Sequence, residues 1–389
     1  MKSSTGLIGF LLSFLLISGS CAREIQTGAE RVNLYLPLLA DKRVALCVNQ
    51  TSRIGKVHIV DTLRSLGIDI RLIFAPEHGF RGTADAGEKI KDGRDAKTGI
   101  PIVSLYGSKL KPSADDWEQI DLIIFDIQDV GVRFYTYIST LHYLLESCLE
   151  NRKQFIVLDR PNPHGMQTEG FVLDTAYRSF VGIAPIPVVH GLTLGEYARM
   201  AIGEHWISGS DSTFLVVVPC AEYSKSMKWS LAVKSSPNLP NDLAIALYPS
   251  LCFFEGTDIS VGRGTAYPFQ VCGAPALKGK FSFSFTPQSV AGAKEPPHLS
   301  VPCYGLDLHL LPVSSAQPFT LQYLLAMYKN YPDKSRFFDR PDFFDKLAGT
   351  DRLRKMIGEG KTEAEIRASW ATELHEFKNR REKYLLYPF

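Results

Sequence analysis

Between Arg43 and Pro219 the apolar positions come in short unbroken runs: RVALCVN, IRLIFAP, IPIVSLY, DLIIFDI, FIVLDRP, IPVVH and TFLVVVP. Strands apolar at successive positions are buried on both faces, as in a parallel sheet covered by helices. Helical patterns separate the runs: VHIVDTLRSLG, YISTLHYLLESCLENR, and TLGEYARMAIGEHW, whose Thr193 and Glu196 have the spacing of a capping box. Strand alternating with helix predicts an α/β domain built on a mostly parallel, doubly wound sheet. Beyond about Lys234 the pattern changes to a Pro-, Gly- and Ser-rich stretch that reads as ordered loops. Strand-like KFSFSFTPQSV and YGLDLHLLPV follow, then helical TLQYLLAMYKNY and TEAEIRASWATELHEFKNRREKYLLY, which predict a smaller α+β domain. The expected division is a leader over 1–21, a first domain over 26–232 and a second over 233–389.

The leader changes the picture of where the chain works. MKSSTGLIGFLLSFLLISGSCAR has a Lys near its start, an apolar core from Leu7 to Ile17 and small residues up to Cys21. That is the layout of a secretory signal peptide, too short to span a membrane comfortably. Ser18, Gly19 and Ser20 before Cys21 resemble a bacterial lipobox, although Ser18 stands where Leu is usual. The expectation is an envelope protein, lipidated at Cys21 or periplasmic.

Composition removes some classes of function. The 389 residues are 45% hydrophobic and 22% charged with a formal net charge of +2, which gives no bulk electrostatic case for nucleic acid. Apart from Cys21, the cysteines Cys47, Cys148, Cys220, Cys252, Cys272 and Cys303 form no CxxC pair and sit mostly in apolar runs, so buried thiols are expected rather than a metal site. A Cys252–Cys272 bridge is conceivable in an oxidising compartment. The turn after the first strand reads NQTSRIGK, without the GxGxxG that a dinucleotide site needs, and neither a Walker A motif, a GxSxG elbow nor HExxH occurs.

What remains is carboxylate chemistry. In an open parallel sheet ligands bind outside the carboxyl ends of the strands. The residues that follow the runs are Asn49, Glu77 with His78, Tyr106, Asp126 with Gln128 and Asp129, Asp159 with Arg160 and Asn162, and His190. Glycoside hydrolysis needs an acid for the leaving oxygen and usually a second carboxylate. Glu77, Asp126, Asp129, Asp159 and Glu255 are the candidates, each with the alternative of a turn or cap role. Glu77 stands out because Pro76, His78 and Gly79 constrain its turn. His78 is read as orienting Glu77, lining the pocket or bonding backbone. Arg133, Tyr135 and Tyr137 open a long helix, where an anion or a sugar face can be met. Two other readings stay open: a non-catalytic sugar-binding protein, and a metal-dependent amidase or esterase with Glu77, His78, Asp126 and His190 as ligands.

With APEHGFRG, SLYG, FDIQDVGVRFYTYISTL, VLDRPNP, EGFVLD, SFVG, PIPVVHGLTLGEYA, SPNLPN, YPSLCFFEGTDISVGRGTAYPFQVCGAP and the terminal FKNRREKYLLY in order along the chain, the sequence resembles the NamZ-like exo-β-N-acetylmuramidases. The resemblance implies a Rossmann-like domain with a smaller domain closing a cleft. It implies release of β-linked N-acetylmuramic acid from non-reducing ends of peptidoglycan fragments, without a cofactor. Glu77 matches the family's proposed catalytic carboxylate, with Asp126 and Asp129 as candidate partners. Expected substrate contacts are His78, Arg133, Tyr135, Asp159, Arg160, His190, Glu255 and Arg263. Arg263, between two glycines, is the first choice for the lactyl carboxylate.

Overall fold

Six of the seven apolar runs lie in one sheet. The structure, a computed structural model, describes residues 24–80, 92–207, 214–317 and 319–389, so the leader and the lipidation reading at Cys21 lie outside the described residues. The sheet strands are β1 (Arg43–Val48), β2 (Asp69–Ala75), β3 (Gly93–Arg94), β4 (Pro101–Ser104), β5 (Leu122–Asp126), β6 (Gln154–Leu158) and β7 (Leu215–Val218), in the order β7-β6-β5-β1-β2-β4-β3. All neighbours pair parallel except the short edge strand β3, which is antiparallel to β4. Taken alone, the six parallel strands have the 3-2-1-4-5-6 order of doubly wound dinucleotide-binding sheets. This is the Rossmann-like α/β architecture expected from the sequence.

The unbroken apolar runs follow from cover on both faces. Ala45 and Cys47 of β1 join Phe74 and Phe125 in one core, while Val44, Leu46 and Val48 join Ile73, Ile124 and Ile156 in the other. Helices α1 (Ile59–Ser65), α2 (Tyr137–Glu150) and α3 (Leu194–Gly203) match the three helical patterns. Thr193 and Glu196 form the capping box that starts α3.

The IPVVH run is different. Pro187–Val189 pairs antiparallel with Glu169–Val172 in a separate two-stranded sheet. A proline has no N–H to give a ladder, so it suits a short edge pairing better than an interior parallel strand. His190 therefore does not sit on the ligand edge of the main sheet.

The second domain holds a three-stranded antiparallel sheet with Cys303–Asp307 between Val271–Ala274 and Phe283–Phe285. Around it stand α4 (Asp242–Leu251), α5 (Gln322–Asn330), α6 (Pro341–Ala348) and α7 (Glu363–Arg381). One continuous hydrophobic core runs through both domains. After α7 the chain returns to the first domain: Tyr387 donates to Asp159 Oδ2 at 2.6 Å, Leu386 N to Glu196 Oε1 at 2.9 Å, and Lys225 N to the Pro388 carbonyl at 2.8 Å. The six described cysteines are buried free thiols, so Cys252 and Cys272 are not bridged.

Candidate active site

The strand β2 ends at Ala75, and the next residues turn sharply. Gly79 N bonds the Pro76 carbonyl at 2.9 Å, with His78 at φ 68° and Gly79 at φ 76°. A non-glycine residue in the left-handed region is uncommon, and such strain gathers at functional sites. The turn sets the half-buried Glu77 and the His78 side chain against a cleft of about 840 Å³ between the two domains.

Two hydroxyls donate to the Glu77 carboxyl. Tyr106, just past β4, reaches Oε1 at 3.1 Å, and Thr136, at the N-cap of α2, reaches Oε2 at 2.5 Å. Tyr135 and Tyr137 line the same wall, their rings edge to face with centroids 4.9 Å apart. The opposite wall comes from the second domain. There Arg263 Nε donates to Glu255 Oε1 at 2.7 Å, and its guanidinium lies 5.1 Å from the centre of the Phe269 ring. Cys252 Sγ lies 3.7 Å from Glu255 Oε2, and Arg340 bonds the Glu255 backbone carbonyl. Among the described residues, the carboxylates of the cleft are Glu77, Glu255 and Glu295. The arrangement offers one carboxyl framed by hydroxyls, aromatic surface for a ring, and a basic wall for an anionic group.

Of the residues expected at the site, the structure brings together Glu77, His78, Tyr135, Glu255 and Arg263. The others have different work. Asp126 is fully buried and paired with Arg160, whose Nε lies 2.6 Å from Oδ1. Neither residue lines the cleft, a correction to both expectations. Asp129 is buried with Oδ1 accepting from Gly131 N at 2.6 Å, and burial pushes its carboxyl up to about 7. Arg133 does not line the cleft, a correction to its expected place: fully buried, it donates to the carbonyls of Phe171, Ile186 and Leu347, each at 2.8 Å. Asp159 accepts from Thr193, Gly195 N and Tyr387, so it anchors α3 and the C-terminal tail; burial raises its carboxyl to about 6. His190 is buried with Nδ1 accepting from Leu192 N at 3.1 Å, and burial lowers it to about 3. Asp126 and His190 thus do not join Glu77 and His78 in a ligand set. Among the described residues no group of three or more His, Cys, Asp or Glu is placed to hold a metal ion.

Sequence reasoning missed Thr136, Arg340 and Lys294 as cleft residues, and placed Tyr106 on the ligand edge without naming it a site contact. Tyr106 had a signal, since it follows β4 on the same sheet edge as Glu77. Arg340, before α6, had none.

Comparison with known proteins bears on the same cleft. The family description "Exo-beta-N-acetylmuramidase NamZ, N-terminal" matches residues 44–243, and its C-terminal counterpart matches residues 246–387. A Bacillus subtilis (strain 168) protein named peptidoglycan beta-N-acetylmuramidase NamZ is 36% identical over 392 residues, covering 94% of this chain and 92% of its own. A solved structure of a DUF1343 family protein from Bacteroides fragilis NCTC 9343 is 44% identical with a TM-score of 0.87, covering 94% of this chain and 99% of its own. A second such protein from that strain is 29% identical with a TM-score of 0.80, covering 93% and 99%. With both halves matched in order and a full-length glycosidase relative, this chain is a glycosidase and belongs to the NamZ family of exo-β-N-acetylmuramidases.

Proposed function

We propose that the protein releases N-acetylmuramic acid from the non-reducing ends of peptidoglycan fragments, with Glu77 as the acid that protonates the leaving oxygen. The observation that carries the reading is the place of Glu77 in the interdomain cleft, at the end of β2, while Glu255 is already committed to Arg263. Muramic acid differs from other amino sugars of the wall by its lactyl carboxylate. The wall that bears Arg263 and Arg340 suits that anion, because guanidinium groups pair with carboxylates in two-bond geometry. The work belongs to peptidoglycan turnover in the cell envelope, with Cys21 as the lipid anchor. Cys21→Ser is expected to shift the protein from the membrane to the soluble envelope fraction; unchanged partitioning would remove the anchor.

The test uses a β-linked muramic acid–glucosamine disaccharide, its lactyl-free counterpart, and a muramic substrate with an activated phenol as leaving group. The protein should free muramic acid from the first far faster than it cleaves the second. Glu77→Gln should lose about 10²- to 10⁴-fold on the disaccharide and much less on the phenol, which hardly needs protonation. No release of muramic acid by the unmutated protein would overturn the proposed substrate. Equal damage on both leaving groups would take the acid role away from Glu77.

A further inference from the structure

Glu77 does not hold its orientation alone. Its two carboxyl oxygens each accept a hydroxyl, Oε1 from Tyr106 and Oε2 from Thr136, and the hydroxyls come from different elements. Thr136 is fixed by the first turn of α2: its carbonyl accepts from Ser139 N at 3.0 Å and Thr140 N at 3.1 Å. Its neighbour Tyr137 is buried and donates to the Ser235 carbonyl at 3.1 Å, which stops the turn from rotating. Tyr106 is steadied from the side. Its ring meets Phe180 edge-on at 5.7 Å, and Phe180 in turn stacks on Tyr143 of α2 at 6.5 Å and 11°. Both hydroxyls are thus referenced to one fourteen-residue helix, and the carboxyl plane of Glu77 is set by that helix.

We propose that Thr136 and Tyr106 are positioning residues for the Glu77 acid, whose hydroxyl hydrogen bonds strengthen as its proton passes to the leaving oxygen; this rests on Glu77 being the acid. The chemical reason is differential. A hydroxyl gives a neutral carboxylic acid a modest hydrogen bond and a carboxylate a stronger one. Negative charge appears on Glu77 only as the glycosidic oxygen is protonated, so both bonds gain in the transition state more than in the bound ground state. The step balances with water as the co-reactant: the proton leaves Glu77 for the glycosidic oxygen, that C–O bond breaks, a water oxygen bonds the anomeric carbon and gives up one proton, and the carboxylate left on Glu77 accepts both hydroxyls until it is reprotonated. Burial and the neighbouring Glu77 push the Tyr106 phenol well above its ordinary range, so it keeps its proton and remains a donor. A purely structural pair would have no reason to address the two oxygens of one cleft carboxyl.

The experiment measures kcat and KM on the muramic disaccharide for Thr136→Val, Thr136→Ser and Tyr106→Phe, each also in the Glu77→Gln background. Thr136→Val and Tyr106→Phe should each lower kcat by about 10- to 100-fold with KM little changed, since a hydrogen bond to a charged group is lost only in the transition state. Thr136→Ser should restore most of the rate. In the Glu77→Gln background neither change should lower the rate further, because the partner that develops charge is gone. Tyr106→Phe keeps the ring packing, so it carries the test if Thr136→Val melts early. Near-normal kcat in both variants beside an inactive Glu77→Gln overturns the positioning role and leaves the acid reading standing. Loss expressed in KM, or an undiminished further loss in Glu77→Gln, overturns it as well. Full activity in Glu77→Gln itself defeats the proposed function rather than this inference.

Discussion

Asp129 is 7% exposed as a residue, and burial lifts its pKa to about 7 against the backbone hydrogen bonds that pull it down. In the unfolded chain an aspartate titrates near about 3.9. Folding therefore takes up a proton between about pH 4 and pH 7, and stability contributed at this residue falls as pH rises through that window. Asp129→Asn keeps an oxygen for Gly131 N and removes the charge. The variant should melt above the unmutated protein at pH 8, and the difference should vanish toward pH 4. A gap of constant size across that range would show that charge is not what Asp129 costs. The same reasoning separates Asp129 from Glu77: both follow strands of one sheet, but only Glu77 reaches the cleft. A sequence position at a strand end assigns an edge, not an exposure.

At the scale of elements, patterns set by local physics were readable. The runs that become β1, β2 and β4 to β7 are mostly apolar because both sheet faces are covered, and the capping box of α3 follows from two residues three apart. The use made of that box was not readable. Thr193 also donates to Asp159 at 2.7 Å, and Glu196 is the counter-ion of Lys225, with both side chains fully buried. Partners 29 and 34 residues away have no trace in the spacing of a helix start. The IPVVH run failed for a related reason: its partner, Glu169–Val172, is polar at its first position and carries no strand signal of its own.

For the whole molecule the decisive contact is between domains. Arg133, from the first domain, donates to the Leu347 carbonyl of α6 in the second, and the two Phe171 and Ile186 bonds hold its other end. Gly349, at φ 77°, closes over the guanidinium; a Cβ there would lie 2.6 Å from Nη2. Burial lowers the Arg133 pKa to about 9, so the group is still a cation at neutral pH. Arg133→Ala would remove three buried hydrogen bonds from a charged donor, each worth about 1.5–3 kcal/mol, with the Ile186 carbonyl keeping a further donor in Leu173 N. The expected result is a loss of about 3 kcal/mol or more, read as a lower melting temperature. A melting curve unchanged by this substitution would mean that the domains are held without Arg133.

By itself, the sequence determined the parallel sheet, its main helices, the chain's two-part character and Glu77 at a strand end, because periodicity, capping and strand termination are local properties. It also carried the family motifs. Tertiary structure decided which polar residues face the cleft. Arg133, Asp159, Arg160 and His190 sit in family motifs just as Glu77 and Arg263 do, yet Arg133, Asp159 and Arg160 are held by backbone groups and a buried ion far along the chain, and His190 is buried against the Leu192 amide. Burial is a sum over contacts from every element packed around a side chain. No short stretch of sequence contains that sum, so motifs brought these residues near the site and only packing divided those that line it from those that hold it up.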